Sequence, residues 1–262
     1  MARLILRPKG GRGITRRWCR GGILRAPTDA GTPPGLLKGV IEVDFRGVLF
    51  DSGDTLIRPV GGRWNPRPDF EEIVLRHFPG IAAGSFPAAF AAGQEVLDAG
   101  QTTPTLADYH LTILHALGIG RAPPRLLREL EQPGARPLVE PFPEVPDVLE
   151  RLRACGVRMA IVSDSWPGLE GLYRQLGLQH YFQAFVISEV LGCRKPDPRM
   201  YRAASDALGL SPDECLFVDD DPELVAAAIE LGYGGTTVTR AADPPPAVPW
   251  ITSLEDLPIF GV

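Results

Sequence analysis

Three largely apolar runs in this 262-residue chain end on reactive polar side chains. The first, Gly47-Val48-Leu49-Phe50, stops at Asp51; the run 157–162 stops at Ser163; the run 215–218 stops at Asp219 and Asp220. A fourth, 185–188, is followed by a loop that carries Lys195. Buried strands of a parallel sheet set such residues along one carboxyl edge, where open α/β folds bind ligands. Crowded carboxylates repel one another unless a hard cation sits among them, and Mg²⁺ takes one or two carboxylates together with phosphate oxygens and water. The Ser163 hydroxyl and the Lys195 ammonium would complete a phosphate cradle. Taken singly, Asp51 and Ser163 also read as helix N-caps, and Asp221, before Pro222, as the cap of the next helix. Lys195 is harder to dismiss. Of 27 cationic side chains only Lys9, Lys38 and Lys195 are lysines, so a compact point charge stands where a planar fork would not serve.

These residues need a scaffold, and the pattern supplies one. Strands are expected near 43–50, 157–162, 185–188, 215–218 and 235–239. Helices are expected near 144–155, 167–176, 199–209 and 222–231, most of them stopping at or beside a glycine. Strands alternating with helices of 10 or so residues imply a parallel sheet with right-handed crossovers. The block 58–140 reads differently, as a Gly/Pro/Arg loop at 58–68 followed by helices near 69–78, 86–99, 105–117 and 123–131, with no convincing strand. Phe78, Phe86 and Phe90 would form its core. His110 and His115 lie five apart on one helix, do not share a face and make no metal pair. The expected organisation is a Rossmann-like core at 43–57 and 141–245, an inserted helical cap at 58–140, a tail at 246–262, and a disordered basic extension at 1–42.

With the elements placed, four motifs resemble those of the haloacid dehalogenase superfamily, in order and over roughly 43–240. Phe50-Asp51-Ser52-Gly53-Asp54-Thr55-Leu56 is similar to its first motif and Val162-Ser163-Asp164 to its second. Arg194-Lys195-Pro196-Asp197 looks like its third, and Phe217-Val218-Asp219-Asp220-Asp221-Pro222-Glu223 like its fourth. The resemblance implies an α/β core with a helical cap and a phosphatase of a small phosphorylated metabolite. Asp51 would be the nucleophile that forms an aspartyl-phosphate. Asp51, Asp220 and the Gly53 carbonyl would bind Mg²⁺, with Asp219 supporting the metal shell. Ser163, Lys195 and the first loop, including Ser52 and Thr55, would hold the phosphoryl oxygens and stabilise charge in the transition state.

One position departs from the pattern. The family's phosphatases carry, two residues after the nucleophile, an Asp that protonates the leaving group, and here that residue is Gly53. A positioned general acid is worth about 10²–10⁴-fold. Asp54 is a candidate replacement if glycine lets the chain turn, although alternate residues of an extended segment face opposite ways. A dehalogenase would also lack the second Asp, but it works without metal and has no need of 219–221. A phosphonate hydrolase would need a cap lysine, and 58–140 contains none. A non-catalytic or regulatory binding protein of the same fold is the reading from another class. In the loop entering the cap, Arg58, Arg63, Trp64 and Arg67 could meet an anionic or aromatic substrate, or form only a surface loop.

Charge and composition narrow the partners. Residues 1–40 hold nine basic residues and one acidic, leaving 18 basic and 31 acidic residues in the remainder. An acidic body argues against a nucleic-acid surface. No apolar run approaches the roughly 18 residues of a membrane helix. The basic extension lacks the serines of a transit peptide. Cys19, Cys155, Cys193 and Cys215 are far apart and read as free thiols of a cytoplasmic protein. Substrate identity and oligomeric state stay open.

Overall fold

The computed structural model describes residues 45–100, 102–132, 138–240 and 247–259; the expected extension at 1–42 and the start of the first strand lie outside them. The chain runs β1 (Gly47–Phe50), β2 (Ile57–Pro59), then four helices, α1 (Phe70–His77), α2 (Phe86–Asp98), α3 (Leu106–Ala116) and α4 (Pro124–Glu131). It continues through β3 (Val139–Pro141), α5 (Val145–Ala154), β4 (Arg158–Ser163), α6 (Leu169–Gln175), β5 (Ala184–Ile187) and the single turn α7 (Ser188–Leu191). It ends with α8 (Pro198–Leu208), β6 (Cys215–Asp219), α9 (Pro222–Glu230), β7 (Gly234–Val238) and β8 (Trp250–Ile251).

Six strands form a parallel sheet in the order β5-β4-β1-β6-β7-β8. Central strands are apolar between their ends because both sheet faces are covered. Val48 and Phe50 pack with Met159, Ile161, Leu216 and Val218 on one face, whereas Leu49 packs with Ala160, Val162 and Phe217 on the other. The alternation is the two-residue period of a strand. The chain leaves β1 toward β4 on one side and returns to β6 on the other, so β1 marks the switch point where open α/β sheets bind ligands.

Helices α1–α4 enclose a core of their own around Phe70, Phe86, Tyr109, Ile113 and Leu126. Helices α2 and α3 approach so closely that a Cβ at Gly93 would lie 2.7 Å from Ile113. Phe78 and Phe90 join this cluster at its margin. Two strands in this region escape the sequence reading: β2 and β3 pair antiparallel at the base of the helical insert, each only three residues long. The stretch 246–262, read as a tail, instead supplies β8 to the sheet and buries Val248, Leu254, Leu257 and Ile259. Two exposed or half-buried residues make too short a strand to announce itself in a pattern. Cys193 and Cys215 are free and buried, as read; Cys155 is disulfide-bonded, which corrects the free-thiol reading there, and Cys19 lies outside the described residues. No described helix is long and apolar enough to cross a membrane.

Candidate active site

Strand register brings the chemistry together. Phe50 is aligned with Val218 and Ile161, and the Asp51 N–H donates to the Val218 carbonyl (2.8 Å), so Asp51 emerges beside Asp219. Lys195 reaches them from the loop before α8. Its Nζ donates to Asp51 Oδ1 (2.6 Å) and to Asp219 Oδ2 (2.7 Å), and all three side chains are almost wholly buried. Carboxylate oxygens of Asp51, Asp219 and Asp220 lie within 4.8 Å of one another. Ser163, at the end of β4, lines the same cavity of about 690 Å³.

Electrostatics follow from that crowding. Burial lifts the Asp51 carboxyl above its ordinary value; Lys195 pulls it back, and Asp219 and Asp220 add to the rise. Asp220 is raised to about 6, by burial first and then by Asp219. Burial works against the Lys195 ammonium, yet Asp51, Asp219 and Asp164 more than offset it and hold the proton firmly. One ammonium among three carboxylates leaves excess negative charge in a secluded corner. Oxygen donors so arranged, from Asp51, Asp219 and Asp220, could hold a hard divalent cation. The Gly53 carbonyl already accepts the Thr55 N–H at 2.6 Å, leaving one lone pair for a ligand role.

Other residues singled out in the sequence are placed less directly. The Ser52 hydroxyl pairs with buried Tyr173 Oη (2.9 Å), and Thr55 Oγ1 donates to Asp220 Oδ1 at 3.4 Å. Each hydroxyl thus has a partner within the protein, Ser52 on the cavity wall and Thr55 on the carboxylate of Asp220. Arg63 is turned away: it binds the Pro66 and Arg67 carbonyls and Glu71, and lies over the Phe90 ring at 4.5 Å. Trp64 does line the cavity, and its ring faces the missing side chain at 53. A Cβ at Gly53 would lie 3.3 Å from Trp64 Cζ2. The same indole donates from Nε1 to Asp54 Oδ2 (2.7 Å), and Asp54 adopts φ 53°, a left-handed conformation that aspartate tolerates better than most side chains. Asp54 therefore also lines the cavity, and its charge is felt at Asp220.

Two participants were not picked out from the sequence. Asp164 Oδ1 accepts the Lys195 N–H (3.1 Å), and its carboxyl is raised by burial. It fixes the backbone of the lysine loop; its place beside Ser163 in the second motif was the available signal. Tyr173, behind Ser52, had none: a tyrosine on a short helix reads as core, and burial pushes its hydroxyl up.

Residues 45–232 match the family model of haloacid dehalogenase-like hydrolases. The chain belongs to that family. It is 33% identical over 182 residues to a phosphoserine phosphatase of Thermus thermophilus, a match covering 61% of this chain and 70% of the relative. A glyceraldehyde 3-phosphate phosphatase of Methanopyrus kandleri is 36% identical over 87 residues, 31% of this chain and 36% of its own. An (S)-2-haloacid dehalogenase of Burkholderia cepacia is 29% identical over 105 residues, 40% of this chain and 46% of its own. The chain thus spans less than half of the latter two. In fold, this haloacid dehalogenase-like hydrolase is similar to a phosphatase of the same family from Thermococcus onnurineus, with TM-score 0.56 and 19% identity over 81% of this chain and 96% of the other.

Proposed function

We propose that this protein is a Mg²⁺-dependent phosphatase of small phosphate monoesters in which Asp51 attacks phosphorus. The observation that carries the reading is the corner shared by Asp51, Asp219 and Asp220, with Lys195 bonded to the first two. Asp51, Asp220 and the second lone pair of the Gly53 carbonyl would hold the cation, with Asp219 anchoring Lys195 behind them. Bound there, Mg²⁺ would keep Asp51 ionised and draw charge from the phosphoryl oxygens. Halide displacement needs no such cation, so the acidic corner favours the phosphatase branch over the dehalogenase branch.

The chain's own residues then divide the work. An Asp51 oxygen forms a bond to phosphorus while the bond from phosphorus to the leaving oxygen breaks, and the electron pair departs with that oxygen. Lys195 and Ser163 steady the phosphoryl oxygens, and water afterwards releases phosphate from Asp51. The leaving oxygen also needs a proton. Gly53 has none to give, and a Cβ there would sit 3.3 Å from the Trp64 ring. We assign that proton to Asp54: Trp64 grips Oδ2, leaving Oδ1 to deliver it and later to take one from water. Helices α1–α4 act as the cap above this site, and the expected compartment is the cytoplasm.

The test is phosphate release from a panel of esters with and without Mg²⁺, for wild type and Asp51→Asn. Release that needs the metal and falls to background in the variant supports the reading. Release that is equal in both proteins, or indifferent to metal, contradicts it.

A further inference from the structure

The arginines expected at the mouth of the cavity do not face it. Arg58 pairs with Glu140 (2.7 Å) and lies over Phe142. Arg63 is held by Pro66, Arg67 and Glu71, and Arg67 by Asp69 and the carbonyls of Leu130 and Gln132. Two cations remain among the described residues of the wall. Lys195 is bonded to Asp51 and Asp219, while Arg194 donates to the Leu97 carbonyl (2.5 Å) and lies 3.6 Å from Asp164. Of the wall's acids away from the metal corner, Asp54 is held through one oxygen by Trp64 and Asp98 by Gln94 Nε2 (2.8 Å), and Asn65, Gln94 and Ser165 add neutral polar groups. Half-buried Trp64, Trp166, Leu97, Leu106 and Leu172 supply much of the remaining wall.

We propose that the alcohol part of the substrate is an uncharged aromatic group, carried a few bonds from the phosphate and seated against the two indoles and the leucines. The inference rests on the phosphatase reading and adds the substrate class to it. A carboxylate-bearing alcohol entering this space would shed water without meeting a free cation. A phenyl ring would remove apolar surface from water and meet aromatic faces.

Four esters decide the matter in the presence of Mg²⁺: 2-phenylethyl phosphate, glycerol 3-phosphate, phosphoglycolate and acetyl phosphate. The first three are alkyl esters whose alcohols are of broadly similar acidity, and acetyl phosphate is too small to fill the cavity and reports phosphoryl chemistry alone. The expected kcat/KM for the phenylethyl ester exceeds those for the glycerol and glycolate esters by roughly 30-fold, the worth of burying one phenyl ring, and mainly through KM. Leu172→Arg and Leu106→Arg, on separate helices and checked by their melting transitions, should narrow that ratio and raise phosphoglycolate turnover. Turnover of acetyl phosphate with no phenylethyl preference overturns the inference and leaves the phosphatase reading standing. Folded arginine variants with an unmoved ratio overturn it equally. Release from none of the four overturns both.

Discussion

A Cβ added at position 53 would lie 3.3 Å from the Trp64 indole, so an aspartate there would require the ring to move. The indole instead grips Asp54, which φ 53° turns back toward the cavity. Asparagine tolerates that backbone, so Asp54→Asn should fold. It should lose about 10²-fold in turnover of alkyl phosphates, whose leaving oxygen must be protonated, and little with acetyl phosphate. Trp64→Phe keeps an aromatic, though smaller, ring and removes the N–H, and should shift the same ratio by less. Equal losses on both ester types, or none, would sink the assignment. Both residues were visible as candidates in the sequence, but their bond was not, because the loop 58–68 has no period from which to read contacts. Arg63 shows the converse: composition announces a guanidinium and says nothing of the carbonyls that claim it.

At the scale of elements, the long helices were legible because each keeps an apolar stripe at helical spacing, as α3 does with Tyr109, Ile113 and Leu114. The pair β2 and β3 was not, since three residues are too few for alternation to register. Helix α3 also carries a pH effect. His110 is buried beside Phe70 and Tyr109, and burial, with Arg67 adding, lowers its pKa from 6.5 to about 4. The unfolded chain therefore takes up this proton near 6.5 and the folded one only near 4. Stability from the neutral imidazole is fully present above 6.5 and is lost as pH falls toward 4, by up to roughly 3 kcal/mol. Denaturant titrations across this range should show the decline, and His110→Phe should flatten it. An unchanged slope in a folded variant would show that His110 is not its source.

For the whole molecule, the sheet order explains why residues some 170 positions apart can share one ammonium group. Asp51 and Asp219 are neighbours because β1 and β6 are, and Lys195 reaches both from the crossover between β5 and β6. That convergence was legible from strand-end polarity alone, whereas β8 was hidden in a two-residue strand beyond an apparent end of the core. It also makes the central claim directly measurable. Rapid acid quench of the Mg²⁺-loaded enzyme during turnover, followed by intact-mass and peptide analysis, should find one added phosphoryl group, mapped to Asp51 and absent in Asp51→Asn. A protein that turns over the ester with no phosphoryl adduct, or with the adduct on another residue, would contradict Asp51 as the nucleophile.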